Sequence, residues 1–132
     1  MAGATVELLH GFVVRVKRGD DVIEDKVMVA TLGEAKAAHM IEAQEESEKL
    51  VFDENGNPFF VASPTLVSVH VLRRQIETMG DMPGPLSLAQ MKTLHPVDLE
   101  LLQDASKAME ETALRRLLEG QTQRGRTDAA RE

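Results

Sequence analysis

The chain has 132 residues, 42% hydrophobic and 28% charged, a balance that fits one folded domain and excludes a wholly disordered chain. It has no cysteine, tryptophan or tyrosine and only four phenylalanines, which excludes disulfides, thiolate catalysis and cysteine zinc sites and weighs against base-stacking platforms. With 15 basic and 22 acidic residues the net charge is −7; the acidic excess lies between residues 31 and 64, and no segment is basic enough to favour nucleic acid.

The first ten residues carry no basic leader and no apolar core, so no signal peptide is expected. Ala2 breaks the myristoylation pattern. No apolar run approaches the ~18–20 residues of a membrane span, so no membrane partner is expected.

Phe12, Val14 and Val16 alternate with Val13, Arg15 and Lys17. This period of two predicts a strand that buries the first set. Arg18-Gly19-Asp20-Asp21 is a turn signal, and a return strand is expected over Val22–Ala30 with Val27 and Val29 on one face. Thr31-Leu32-Gly33-Glu34 matches a capping box, which predicts a helix from Leu32 to Lys49. Its second half, Glu42–Glu48, reads as a solvated acidic face. Asn55-Gly56 then predicts a second hairpin over Leu50–Ala62, with a type I′ turn and Pro58 at a sheet edge.

Ser63-Pro64 predicts the cap and first position of another helix. Leu66, Val69, Leu72, Ile76 and Met79 repeat at helical spacing, and Gly80 is its expected stop. The loop 80–85 turns the chain. Ser87-Leu-Ala-Gln90 is a further capping box for a short helix to Leu94. His95 is expected to cap, and Pro96 to open, a long helix over Pro96–Glu119 with a stripe of Val97, Leu101, Leu102, Ala105, Ala108 and Met109, continued by Leu114, Leu117 and Leu118. The expected architecture is α+β: an N-terminal β-hairpin, extended by a second short one, packed with about four helices. Residues 1–119 form one domain and 120–132 a flexible polar tail.

Chemistry-bearing patterns are sparse. Nucleophile elbows and phosphate-binding loops are absent from the sequence. His39 and Glu42 share a helix face, but a metal site needs three or four converging ligands. The paired carboxylates lie in polar stretches, where nothing raises their pKa. No catalytic residue, cofactor or metal is therefore expected. Arg73-Arg74 reads first as salt bridges to the acidic surface; a sharper reading is recognition of an acidic partner. Seven methionines suit core filling or adaptive packing.

Ala62–Gly80, Gly84-Pro-Leu-Ser-Leu88 and Met91–Asp104 carry an ordered pattern: Leu72-Arg73-Arg74-Gln75-Ile76 near a helix end, the Gly84-Pro85-Leu86 loop, and Leu94-x-Pro96-x-Asp98 opening the last helix. It resembles the tail assembly chaperones of Mu-like phages and prophages, within the wider chaperone family of contractile-tailed phages. The resemblance spans roughly residues 10–115 and is weaker across Leu50–Val61. His95 stands where the family often has a small capping residue. The resemblance implies a non-enzymatic protein of the host bacterial cytoplasm, absent from the finished virion. It would bind the tape-measure protein and hold it soluble until tube subunits polymerise. The further implied partners are a frameshift-extended form of itself, the tail tube protein and copies of itself. An apolar groove would cover the partner's helical stripes. The candidate contacts are Leu66, Val69, Leu72, Arg73, Arg74, Ile76 and Met79, with Pro83, Pro85 and Leu86 of the loop, and the Glu42–Glu48 face would keep the complex soluble. The alternative is a small DNA-binding or adaptor protein of a mobile element that uses Arg73-Arg74; a hydrolase or metal enzyme fits least.

Overall fold

Two long strands open the chain. β1 (Ala4–Arg18) and β2 (Asp21–Leu32) pair antiparallel around Gly19-Asp20, as the turn signal predicts. The computed structural model describes the backbone of residues 3–131 and the side-chain surroundings of residues 3–120. β1 starts earlier than the alternation suggests, and Val6, Leu8 and Phe12 are its buried residues. Val14 packs against the core, whereas Val16 is 40% exposed because the hairpin has by then left the body. On β2, Val27 packs against the core and Val29 is exposed, so the two do not share a buried face.

β2 does not stop at Ala30. Ala30, Thr31 and Leu32 pair with Met79, Thr78 and Ile76 of β5 (Ile76–Met79). That pairing displaces the capping box expected at Thr31–Glu34, and α1 spans Ala37–Ser47 instead. The Lys36 N–H donates to His39 Nδ1 at its start (3.1 Å). β3 (Glu48–Phe52) and β4 (Pro58–Ala62) form the second hairpin as a separate two-stranded sheet. Only Gly56 has positive φ there, so the turn is not type I′. Asp53 builds the loop, its carboxylate accepting from the Asn55 and Asn57 N–H groups.

α2 spans Pro64–Gln75, capped by Ser63 as expected. It ends at Gln75, five residues before the predicted stop at Gly80. Ile76 and Met79 are therefore strand residues, because the open edge of β2 offers hydrogen bonds that a further helical turn would forgo. β6 (Met82–Pro83) completes a four-stranded antiparallel sheet of order β1-β2-β5-β6. Gly84 then passes so close to β5 that a Cβ would fall on the Ile76 carbonyl oxygen. α3 (Leu88–Lys92) carries the predicted capping box of Ser87 and Gln90. α4 spans Pro96–Arg131, so its backbone does not stop at Gly120; the side chains of the expected tail lie outside the described residues. The core joins Val6, Leu8, Phe12, Ala30 and Leu32 of the hairpin to Leu72, Ile76, Met79, Leu86, Met91, Leu94 and Leu102. The α+β class is as the sequence indicates.

One polar contact fixes α4 to the sheet. Residues 8–11 of β1 lie opposite Met28 alone, an irregular bulge of four residues against one. The bulge turns three consecutive N–H groups toward the first turn of α4. Asp98 is fully buried and accepts from the N–H groups of Leu9 (2.7 Å), His10 (3.1 Å) and Gly11 (2.9 Å). Gly11 is required at this point: its φ is +92°, and a Cβ would meet Met28 Sδ at 2.7 Å. The imidazoles of His10 and His95 stack over the junction at 3.5 Å, and His95 Nδ1 caps α4 by accepting from the Val97 N–H. Burial alone would raise the Asp98 carboxyl; the three backbone donors outweigh it and hold the group below its ordinary value.

Asp98→Asn leaves buried N–H groups without a full acceptor, and thermal unfolding should show a loss of about 2–4 kcal/mol. A depressed carboxyl pKa stabilises the fold above its ordinary value and is lost as pH falls through the lower folded one. The melting temperature of the unaltered chain should therefore drop below about pH 4, and Asp98→Asn should flatten that part of the drop.

Candidate functional site

α1 presents Glu42 and Glu46 one turn apart, and the last turn of α2 presents Arg73 and Arg74, where a cation suits the helix dipole. The helices pack so that these charges meet. Arg73 Nη2 donates to Glu46 Oε2 (2.7 Å) and its Nη1 to the Leu86 carbonyl (3.2 Å). Arg74 Nε donates to Glu42 Oε2 (3.1 Å), and its Nη2 pairs with Glu46 Oε1. The guanidinium-bearing side chains are only 15% and 10% exposed. The arginine doublet is thus the intramolecular salt bridge of the first reading. It presents no free cations to an acidic partner or to DNA. By the same pairing, Glu42 and Glu46 belong to the helix seam and are not a free solubilising face.

His70 lies inside this seam. Arg73 Nε–H donates to its Nδ1 (3.0 Å), so that nitrogen carries no proton. Burial, and then the Arg73 charge, lower its pKa. Glu46 Oε2 lies 3.1 Å from the same nitrogen. Glu42 is bound to Arg74, so it does not pair with His39 as a ligand, and among the described residues no three His, Asp or Glu side chains converge.

The predicted contact residues divide between core and surface. Leu72, Ile76, Met79 and Leu86 are fully buried core residues. Leu66 is half-buried, and Val69 packs against the core. Pro83 of β6 and Pro85 of the following loop are exposed. Of the stripe read from periodicity, Val69 and Leu72 lie on the core side of α2 while Ile76 and Met79 reach the core from β5, and its residues are not gathered into one surface.

The opposite flank of α2 opens a groove of about 540 Å³ that sequence reasoning missed. Val67 and Val71 form its floor with an edge of Leu72; Met109 and Ala113 of α4 form one wall and Met40 of α1 the other. Glu34, Gln103, Lys107 and Glu110 give it polar borders. Gln75 joins the segment after β2 to α4, its Nε2 donating to the Gly33 carbonyl (3.2 Å) and its Oε1 accepting from Ser106 Oγ (2.8 Å). The signal available in the sequence was Val67-Ser-Val-His-Val71, which makes α2 apolar on more than one flank. An apolar trough with polar borders accepts the side chains of an amphipathic segment. It holds no nucleophile with an adjacent base.

A base whose pKa is lowered in the fold stabilises it above the ordinary value near 6.5 and loses that contribution as pH falls below it. Circular-dichroism melts should show a lower melting temperature at pH 5.5 than at pH 7.5 (about one unit either side of that value), and His70→Gln should remove the part due to this seam. A double-mutant cycle of Arg74→Met with Glu46→Gln should give a coupling of about 1 kcal/mol.

A family model described as Tail assembly protein gp41 matches residues 8–126. Over 77 residues the chain is 42% identical to a probable tail assembly protein gp41 of Escherichia phage Mu, which covers 58% of this chain and 53% of that protein. The same identity and length relate it to a probable tail assembly protein FS-gp41 of the same phage, covering 40% of that protein. Over 107 residues it is 28% identical to the Mu-like prophage FluMu protein gp41 of Haemophilus influenzae, covering 81% of each chain. The chain spans about half the length of the Mu relatives that it matches. No solved structure matches it. On the match across residues 8–126, the chain belongs to the gp41 tail assembly protein family of Mu-like phages and prophages.

Proposed function

We propose that this chain is a tail assembly chaperone that binds the tape-measure protein and keeps it soluble until the tail tube polymerises around it. The observation that carries this reading is the groove between α1, α2 and α4. A long helical protein that awaits assembly exposes apolar stripes at i, i+3, i+4 and i+7, and such stripes aggregate. A trough floored by Val67 and Val71 and walled by two methionines is built to take one. Unbranched Met40 and Met109 adjust to successive segments of different shape. Each apolar side chain moved from water into the groove contributes about 1.5–3 kcal/mol before ordering costs. The reading is non-catalytic, with the complex formed in the host cytoplasm and the chaperone released before the virion is complete.

Co-expression with the tape-measure protein tests it. The partner should be insoluble alone and should co-purify in soluble form with this chain. Val71→Glu and Met109→Glu should each reduce co-purification at least tenfold, because a charge in the trough costs more than the ~1.4 kcal/mol that a factor of ten requires. Val71→Glu should keep its circular-dichroism spectrum; Met109 also packs against the core, so Met109→Glu is compared at a temperature below its own melting point. Equal solubility of the partner with and without this chain would overturn the reading.

A further inference from the structure

Ser106, Glu110 and Ala113 line the groove along α4. Spaced three and four residues apart, they share one flank of that helix. The same flank continues past the groove with Leu114, four residues after Glu110, and Leu117, four after Ala113. Among the described residues, Met109 is the last of α4 to pack against the core. Leu114 and Leu117 are consequently 54% and 58% exposed. The stretch of α4 that lines the groove, Gln103–Ala113, is about 15 Å long at ~1.5 Å per residue, just under three turns. Two carboxylates border the groove, Glu34 on the α1 side and Glu110 on the α4 side. Neither takes part in an ion pair or a side-chain hydrogen bond among the described residues. Lys107 is the single cation in the lining, so the borders are net acidic, as is the whole chain at −7.

Resting on the chaperone reading, we propose that the groove is the inner part of a longer track along α4, and that this track takes one amphipathic helix of the tape-measure protein, about four turns long, with basic residues flanking its apolar stripe. A helix seated between two helical walls runs along them, and it bends too gently to leave α4 within one turn. A bound segment longer than the groove therefore passes over Leu114 and Leu117. The groove has room for apolar residues at i, i+4 and i+7; the two leucines receive those at i+11 and i+14. Basic residues beside the stripe meet Glu34 on one border and Glu110 on the other. A helix with acidic flanks meets repulsion from both carboxylates and from the charge of the whole chain. Salt separates this occupant from a second copy of the chain. Screening weakens the attraction of a basic helix, whereas it strengthens the association of two copies that each carry −7.

The probes are synthetic peptides that share one leucine stripe: a lysine-flanked peptide of about 11 residues, another of about 18, and a glutamate-flanked version of the longer. Fluorescence anisotropy with the full chain should show the longer lysine-flanked peptide binding at least about tenfold tighter than either of the others, and weaker in about 0.5 M salt. Leu114→Gln with Leu117→Gln should remove the advantage of the longer peptide and leave the shorter unaffected, a comparison in which the helix content of each free peptide cancels. Glu34→Gln with Glu110→Gln should remove most of the preference for lysine over glutamate flanks. Thr112→Gln, on the opposite flank of α4, should change nothing. All five positions are exposed, so each variant should keep the circular-dichroism spectrum of the unaltered chain. A longer peptide that binds no tighter than the shorter, or whose advantage survives Leu114→Gln with Leu117→Gln, overturns the proposal. So does equal binding of the lysine- and glutamate-flanked peptides, or a dimer of the chain that strengthens with salt and is lost in the double leucine variant. If the tape-measure protein co-purifies undiminished with both double variants, the track fails and the chaperone reading stands. If that protein is equally soluble without this chain, both fail.

Discussion

A buried carboxylate at the start of α4 decides how the helices sit on the sheet. Asp98 is taken wholly out of water, which is costly for a charged group unless it is compensated. The compensation is three successive backbone N–H groups of β1, and these converge only because the strand bulges at residues 8–11 and Gly11 takes a left-handed conformation. Charge-assisted bonds of this kind are about twice as strong as neutral ones, and here they replace edge-strand hydrogen bonding where an exposed edge would otherwise invite pairing. The direction in which α4 leaves the sheet follows from that junction, capped by His95 and covered by the His10–His95 stack.

The groove depends on that direction. Met109 and Ala113 of α4 line it beside Val67 and Val71 of α2, and Asp98 ties the start of α4 to β1. The other wall depends on a different kind of contact. Arg73 and Arg74 are held by Glu42 and Glu46, so α1 is clamped to the end of α2 by charges that remain partly wet. Such pairs contribute little individually, but both arginines also bind backbone carbonyls. The cluster consequently fixes three segments together: α1, α2 and the loop that carries Leu86. Gln75 completes the frame by joining the end of β2 to α4 through both ends of its amide.

Apolar surface is divided among three places. The inner flank of α2 and strand β5 are buried in the core. The outer flank of α2 lies open in the groove. The β3–β4 hairpin carries most of the aromatic residues into solvent. A domain that needed only to fold would bury these last two sets. These last two sets remain open in a chain of the gp41 tail assembly family, and apolar surface of that kind is what the proposed chaperone role would use.

Signals that act within four residues were legible in the sequence. The β1–β2 turn, the Ser63-Pro64 start, the Ser87–Gln90 box and the His95-Pro96 start all stand where local chemistry puts them, because a cap or turn is satisfied by its own neighbours. The α+β class followed from the same signals. Thr31–Glu34 and Ile76–Met79 misled for one common reason. Each is a respectable helical pattern, but the two segments lie some forty-five residues apart in sequence and pair with each other as strands, and no local window contains that partner. The residues of the site were only partly readable. Arg73 and Arg74 stood out as a doublet, yet whether they faced a partner or Glu42 and Glu46 depended on how two helices packed. Asp98 belonged to a recognisable run, but its role needed a bulge eighty-seven residues upstream. Periodicity identified an apolar flank of α2 without saying that the core would take it and leave Val67 and Val71 to the groove. Hydrophobic spacing specifies that a surface will be covered; what covers it is set by long-range packing.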